Sequence, residues 1–493
     1  MTKIPRIAFL LNGQEIRATV RPGQTALDLL RALGRTGVKE GCNEGDCGAC
    51  TVLIGEIRDG QMHHEAVNAC LVPAPRLHGR HVLTVEGLGD ADNLHPIQQA
   101  MLDAHAVQCG FCTPGQIMSL LGLFAATPQP SDEDIASALE GNLCRCTGYT
   151  TIRDAARALR QSGIDPARIL PDCCRDAPQR LAELPPLAWE EAPGEAGAPR
   201  QDYHRPQSLD QLFTLLTELD ENVRILAGGT DIQVEANLKH AHARHLVDLE
   251  ALRELRFIRD ESGLIRIGAM ATLSDIPRSD LIRVRLPLLA RAVSQMASAQ
   301  IRNRATLAGN VATASPIGDG STALLALNAV LVLRGPDGER RLPLEQFFLG
   351  YRHTALAPRE IIIALEVPPQ TGPWDWRKSA RRGAVDIAAV SSALCAGADG
   401  QNPRISCAGV AATPVLLRQT MTLLHGRELT PELIREASLL AASEVAPLSD
   451  VRGGADYRRL LVRNHVAHHL AALGGQTPRE LIPLQPRPMG GAS

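Results

Sequence analysis

The hydrophobic pattern of the chain changes character three times. In "MTKIPRIAFLLNGQEIRATV" apolar and polar residues alternate on both sides of Asn12-Gly13, a favoured pair for a tight hairpin, which predicts two paired strands. A helical run, "TALDLLRAL", begins just after the Pro22-Gly23 turn. From about residue 95 to 160 the period lengthens and four helices are expected: "HPIQQAMLDAH", "PGQIMSLLGLFAA", "SDEDIASALEG" and "TTIRDAARALR". Ser131 caps the third, with acidic residues in its first turn, and Pro114 opens the second, where its missing N–H costs nothing.

Periodicity then stops. Residues 165–200, with "LPPLAWEEAPGEAGAPRQ", are rich in Pro, Gly, Ala and Glu and read as an inter-domain linker. Beyond it strands and helices mix, beginning with the helix "SLDQLFTLLTEL" and with "VRILAGGTDI", a strand running into a glycine turn. From about 372 the strands "AVSSALCAGA" and "RISCAGVAA" precede the helices "TPELIREASLLAASEV" and "DYRRLLVRNHVAHHLAAL". No fixed-period repeat is present. The expected divisions are 1–90, 91–164, the linker 165–200, 201–370 and 371–485.

Composition narrows the function classes. A chain of 493 residues with 44% apolar and 21% charged residues is an ordinary globular protein of two to four domains. A net charge of -3 argues against a nucleic-acid binder, which needs a basic surplus. No basic-then-apolar leader opens the sequence, and no apolar stretch reaches the roughly 18 residues a spanning helix requires, so a soluble, cytoplasmic protein is expected.

In such a compartment the twelve cysteines are not expected to form disulfides. Eight lie before residue 150. Cys42, Cys47, Cys50 and Cys70 are spaced C-x4-C-x2-C-x19-C, the plant-type ferredoxin arrangement for a [2Fe–2S] cluster, with Gly41, Gly45 and Gly48 letting the backbone approach the sulfides. Structural zinc usually shows two short C-x2-4-C pairs, and only one is present here. Cys109 and Cys112 form a C-x2-C before a helix; Cys144 and Cys146 form a C-x-C after another. By themselves these four suit zinc or a second [2Fe–2S] cluster equally, and the neighbouring ferredoxin-like pattern favours the cluster.

"GCNEGDCGAC", "CGFCTPG" and "CRCTGY" are similar to the paired [2Fe–2S] signatures of the xanthine oxidase (molybdenum hydroxylase) family, in all eight ligand positions and their spacings. The resemblance implies an α+β multidomain chain: a β-grasp ferredoxin-like domain for the first cluster and a four-helix domain for the second, nearest the molybdenum site.

The flavin region is less legible from the residues alone. Two adjacent glycines after a strand can present N–H groups to a pyrophosphate, yet more often make only a turn. Gly318-Asp-Gly320-Ser-Thr-Ala323 fits a dinucleotide pattern, but Ser315-Pro316-Ile317 stands where a strand should feed it, so a Rossmann site is not expected. "LAGGTD", "QIRNRATLAGN", "SPIGD", "FFLGYRHT" and "RKSARRGAVDIAAV" resemble, in order, the family's FAD-binding domain, of the vanillyl-alcohol-oxidase type, followed by a C-terminal α+β domain of the CO-dehydrogenase flavoprotein type. The resemblance implies that Ile225, Leu226, Ala227, Gly228, Gly229, Thr230, Asp231 and Ile232 wrap the FAD pyrophosphate. It places Thr306, Gly309, Asn310, Asp319, Ile362 and Lys378 on other parts of the flavin, with Tyr351 and Arg381/Arg382 near nicotinamide and flavin-switch positions. Animal members carry an acidic pair where this chain has "GAVDI", leaving only Asp386.

The resemblance stops where single-chain members continue into a molybdopterin domain. It therefore implies an electron-transfer subunit with no residue of its own for substrate hydroxylation. A large partner subunit with the molybdenum cofactor would hydroxylate a purine; the alternatives are an aldehyde-, nicotinate- or carbon monoxide-oxidising partner, or a non-enzymatic zinc-binding scaffold. The purine's electrons would cross two [2Fe–2S] clusters to FAD and then NAD⁺, in a dimer of heterodimers without nucleic acid or membrane.

Other features are expected to be inert. His240, His242 and His245, the pairs His63-His64 and His468-His469, and the thiols Cys173-Cys174 read as ordinary polar or free residues; Cys395 and Cys407 read as core. No serine–histidine–acid pattern of the hydrolase kind is found.

Overall fold

The computed structural model describes residues 3–163, 168–191, 201–383 and 385–475. Two compact units emerge: Met1–Arg253 with Thr272–Ser274 and Ala297–Thr306, and Glu254–Ala271 with Asp275–Met296 and Leu307–Ser493. Residues of the segment 201–370 fall in both units.

In the first unit, β1 (Lys3–Leu11) and β2 (Gln14–Thr19) form the expected hairpin, with Asn12 and Gly13 at φ 50° and 80°. Helix α1 (Ala26–Ala32) starts at Thr25, whose hydroxyl accepts from the Asp28 N–H while the Asp28 carboxylate accepts from the Thr25 N–H. Strands β3 (Thr51–Arg58), β4 (Gln61–Asn68) and β5 (His81–Leu83) complete a sheet of order β2-β1-β5-β3-β4, parallel only between β1 and β5. Leu27 and Leu30 of α1 bury against Phe9, Leu11, Val52 and Val82 on one face of it. This is the β-grasp.

Helices α2 (Pro96–Asp103), α3 (Thr113–Ala126), α4 (Asp132–Leu139) and α5 (Thr150–Gln161) follow where the periodicity placed them. Leu121, Phe124, Ile135, Ile152 and Leu159 close their common core, and Leu53 and Leu83 of the sheet join it. Ser131 caps α4 in a full capping box.

Within the expected linker 165–200, the described part, 168–191, carries short elements of its own. Helix α6 (Ala177–Ala182) packs Ala177 and Leu181 on Leu10, and β6 (Ala188–Glu191) pairs antiparallel with the start of β1. Four residues separate Ala177 from Leu181, one helical turn, and Glu190 forms an ion pair with Arg6. The short elements were hidden by the Pro- and Glu-rich composition around them.

The first unit ends in a small parallel sheet of β7 (Asp202–His204), β8 (Val223–Leu226) and β9 (His245–Asp248), ordered β7-β9-β8, with helices α7 (Leu209–Glu218) and α8 (Thr230–Lys239) as crossovers.

The second unit holds a five-stranded antiparallel sheet in the spatial order Ile258–Glu261, Leu264–Gly268, Ile361–Val367, Val330–Gly335, Gly338–Pro343. A four-stranded meander, Trp374–Ser379, Val390–Cys395, Arg404–Ala408 and Val415–Leu416, carries the long helices Pro431–Ser443 and Ala455–Leu473. Gly318 feeds the helix Asp319–Ala326 from a loop rather than a strand, as the rejection of a Rossmann site requires. Among the described residues no helix is long and apolar enough to cross a membrane. The C-terminal stretch expected to run to 485 lies outside the described residues after 475.

Candidate redox-cofactor sites

The loop from Cys42 to Cys50 is shaped by backbone that only small or polar residues tolerate. Asn43, Gly45 and Gly48 have φ of 57°, 86° and 66°. A Cβ on Gly41 would stand 2.8 Å from the Cys47 sulfur, and one on Gly48 would stand 2.3 Å from the Gly141 carbonyl oxygen. The Cys42 sulfur accepts from the N–H groups of Glu44 (3.5 Å) and Cys47 (3.4 Å). Cys70 arrives from the short turn Ala69–Leu71 that ends β4.

The eight thiols meet as four pairs: Cys42 with Cys47, Cys50 with Cys70, Cys112 with Cys144, and Cys109 with Cys146, whose sulfurs are 3.6 Å apart. Within each pair one thiol is shifted down and the other up. The Cys47 thiol holds Cys42 down at about 5. Burial pushes Cys112 up to about 12. Cys144 falls to about 7 despite burial, through the Thr147 hydroxyl and N–H.

The pairing bears on the metal. Four thiolates on one tetrahedral zinc, at about 2.3 Å each, would all lie within about 3.8 Å of one another. Neither quartet brings three sulfurs within 4.8 Å; among the described residues the one His/Cys/Asp/Glu group that meets this condition is elsewhere, at His64, His81 and Cys174. Two separated sulfur pairs suit a two-iron cluster, one pair per iron.

The two cysteine loops are bonded to each other. The Leu143 N–H donates to the Cys47 carbonyl (2.9 Å), and the Asn142 side-chain amide donates to the Gly48 carbonyl (3.0 Å). Asn142 Oδ1 in turn accepts from Ser119 Oγ (2.7 Å) and Gln300 Nε2 (2.9 Å), a fully buried knot. Cys112 and Cys144 are buried, whereas Cys109, Cys146 and Phe111 are exposed, so one edge of the second quartet opens to the surface.

The Gly-Gly turn after β8 is held from beneath. A Cβ on Gly228 would be 2.4 Å from the Arg304 carbonyl oxygen, and Gly229 has φ 82°. The guanidinium of Arg76, fully buried, donates to the carbonyls of Leu226 (3.2 Å), Ala227 (2.6 Å) and Gly228 (3.0 Å) and to both oxygens of Asp248. Asp248 also accepts from the Tyr203 hydroxyl. With its carbonyls drawn down, the turn leads into α8, whose first N–H groups have no side-chain cap at Gly229. An uncapped helix start beside a glycine turn is a fit for a pyrophosphate. Asn237, on the same helix, donates to the carbonyls of Asn43 (2.8 Å) and Cys70 (2.9 Å). Thr306, buried, bridges to Thr272.

In the second unit, Lys378 donates to Asp319 Oδ2 (2.8 Å) and to the Gln295 carbonyl (3.1 Å). Burial raises the Asp319 carboxyl, opposed by the Lys378 ammonium. Asn310 lies over Gly320, and its Oδ1 is buried with no protein partner, as is Ser321 Oγ; such orphaned polar atoms fit a polar cofactor edge. Gly309 and Asn310 ride the helix Leu307–Ala312, which packs on the strand carrying buried Ile362. Tyr351 is exposed, Arg382 donates to the Val385 carbonyl, and Asp386 accepts from the Arg382 and Ile387 N–H groups.

Several residues set aside on sequence grounds are held in buried networks. His469 is fully buried, its Nδ1 2.9 Å from Asp375 Oδ2 and its Nε2 2.7 Å from Ser392 Oγ, a serine–histidine–acid line that the sequence did not show. Ser392 is itself fully buried and also bonded to His465, so the line is a structural network rather than an exposed nucleophile. His245 is buried against His204 rather than exposed, and Cys395 is only half-buried. Arg76 and Asn237 carried no sequence signal, because their partners here lie roughly 150 to 190 residues away and are mostly backbone carbonyls.

Comparison with known proteins gives these sites relatives. Residues 9–75 match the 2Fe-2S iron-sulfur cluster binding domain, and 84–157 match the [2Fe-2S] binding domain. Residues 198–370 match the FAD binding domain in molybdopterin dehydrogenase, and 375–473 match the CO dehydrogenase flavoprotein C-terminal domain. The chain is 34% identical to xanthine dehydrogenase of Emericella nidulans over 92% of its own length, and spans 38% of that protein. It is similar to a carbon monoxide dehydrogenase chain from Hydrogenophaga pseudoflava, with 33% identity and a TM-score of 0.54, covering 56% of this chain and 98% of that one. Quinoline 2-oxidoreductase from Pseudomonas putida 86 gives 25% identity and a TM-score of 0.53, covering 56% of this chain and 98% of its own.

Proposed function

The chain belongs to the xanthine oxidase (molybdenum hydroxylase) family, and we propose that it is the electron-transfer subunit of a xanthine dehydrogenase, serving a partner subunit that bears the molybdenum cofactor and reducing NAD⁺. When bound, the two clusters supply one-electron carriage and FAD supplies the exchange between single electrons and a pair.

In this reading Cys42, Cys47, Cys50 and Cys70 hold one cluster, and Cys109, Cys112, Cys144 and Cys146 hold the other. Of the residues read as flavin contacts, Ile225 to Ile232 and Thr306 belong to the first unit, and Gly309, Asn310, Asp319, Ile362 and Lys378 belong to the second. The expected divisions at 90, 164, 200 and 370 belong to the same proposal. Hydroxylation of hypoxanthine and xanthine falls to the partner, and the complex is a dimer of heterodimers in the cytoplasm.

The observation that carries the reading is the hydrogen-bonded continuity of the first unit. The loop before Cys144 is bonded to Cys47 and Gly48, and Cys70 is bonded through Asn237 to the helix after the Gly-Gly turn. Three cofactor regions are thereby fixed in one body, as a wire requires. The exposed edge at Cys109 and Cys146 gives an electron donor a place to approach. Xanthine is favoured over carbon monoxide or quinoline because the likeness to the xanthine dehydrogenase runs through the iron–sulfur and flavoprotein regions together. The other two relatives are spanned over little more than half of this chain.

The test is an anaerobic assay of the complex purified with its partner. Xanthine should bleach the visible absorbance and drive NADH formation. Reduction by carbon monoxide, quinoline or an aldehyde but not by xanthine would transfer the chain to another member of the family.

A further inference from the structure

One cluster of ligand-type side chains lies outside the cofactor sites. His64 on β4, His81 on β5 and Cys174, in the short turn Asp172–Cys174 before α6, are all buried, and one ligand atom from each lies within 4.8 Å of the other two. They come from positions 17 and 93 residues apart. The fold, and not local sequence, brings them together.

The facing ring nitrogens, His64 Nε2 and His81 Nδ1, are 3.1 Å apart, with the rings edge-on at 75°. Two imidazoles on one tetrahedral zinc, at about 2.0–2.1 Å each, would hold their nitrogens about 3.3 Å apart.

Space has been cleared for the group. A Cβ on Gly55 would stand 2.6 Å from His64 Nε2, and one on Gly13 would stand 2.6 Å from the Cβ of Cys173. Cys173 itself lies in contact with Cys174 and His81. The sheet thus offers two imidazoles, and the strap 168–191 that crosses back over β1 offers one thiol and a second beside it.

We propose that His64, His81 and Cys174 form a zinc-type metal site, with the fourth position next to Cys173, that fastens the strap to the β-grasp sheet. Two imidazoles with one or two thiolates are a donor set that zinc takes in closed, four-coordinate structural sites. Binding requires neutral imidazoles and a thiolate, so Zn²⁺ displaces the Cys174 proton to solvent and no electron is transferred.

The test uses the full chain with its iron and flavin in place, incubated with Zn²⁺ and freed of excess by gel filtration. Metal content and zinc K-edge absorption are then read. The expected result is one zinc per chain with unchanged iron, two nitrogen neighbours and at least one sulfur. Cys174→Ser and His64→Gln should each lower zinc retention by at least about tenfold, with the iron and flavin spectrum preserved. A wild-type chain that keeps its iron and retains no zinc, or a zinc with only oxygen and nitrogen neighbours, would overturn the site. So would equal retention by both variants. The wild-type reading stands by itself should a variant fail to fold.

Discussion

The side-chain amide of Asn237 donates to the backbone carbonyl of Cys70 at 2.9 Å, and to that of Asn43 at 2.8 Å. One side chain on the helix after the Gly-Gly turn therefore satisfies two carbonyls of the ferredoxin-like cluster loop. Asn237→Ala leaves both without their donor. The expected cost is about 1–3 kcal/mol, read as a lower urea midpoint of the variant, with iron content unchanged at the start of the titration.

Arg76 and Asp248 form an ion pair whose side chains are 1% and 0% exposed, and the same guanidinium gathers three carbonyls of the turn. Arg76→Met strands a buried carboxylate, which costs about 3–5 kcal/mol. It also frees the turn, so flavin should dissociate before the iron–sulfur absorbance is lost. Thermal release of flavin fluorescence compared with visible bleaching separates the two events.

Lys378 stands 2.8 Å from Asp319, a carboxyl already raised by burial. Lys378→Met removes its cation and raises it further. Flavin retention should weaken on the order of tenfold, about 1.4 kcal/mol, and less at pH 6 than at pH 8, because protonating Asp319 relieves the unpaired buried charge. Flavin-to-protein ratios after dialysis at the two pH values check this.

His465 sits between Ser379 and Ser392, and burial drives its pKa down to about 3, with His469, Arg377 and His468 adding to the effect and Asp375 opposing it. The folded ring stays neutral while the unfolded one protonates near 6.5, so the unfolded state binds more protons below that pH. The stabilisation is complete above about 6.5 and is lost as pH falls toward 3. Between pH 6.5 and 5 this single group should remove on the order of 2 kcal/mol. His465→Gln should flatten that slope in urea titrations, whatever it does to stability at pH 8.

Much of this architecture can be read in the sequence. The hairpin at Asn12-Gly13, the box at Ser131 and Asp134, and the strand–turn–helix at 223–239 are local, set by φ preference, caps and period, and the structure holds all of them. The cysteine spacing is local too, and it singles out the thiols that the structure gathers in pairs. What escaped is long-range. His469 meets Asp375 across 94 residues and lies fully buried. The strap 168–191 is organised by one helical turn on Leu10 and four residues of strand, too little to stand out from its Pro- and Glu-rich composition. Arg76 and Asn237 act on carbonyls, which every residue carries and no pattern marks.

Iron and flavin content, measured on chain purified without air, tests the central claim most directly. Eight thiolates at four per cluster predict about four irons and one FAD per chain. Two zincs at the cysteine quartets, with little iron and no flavin, would contradict it.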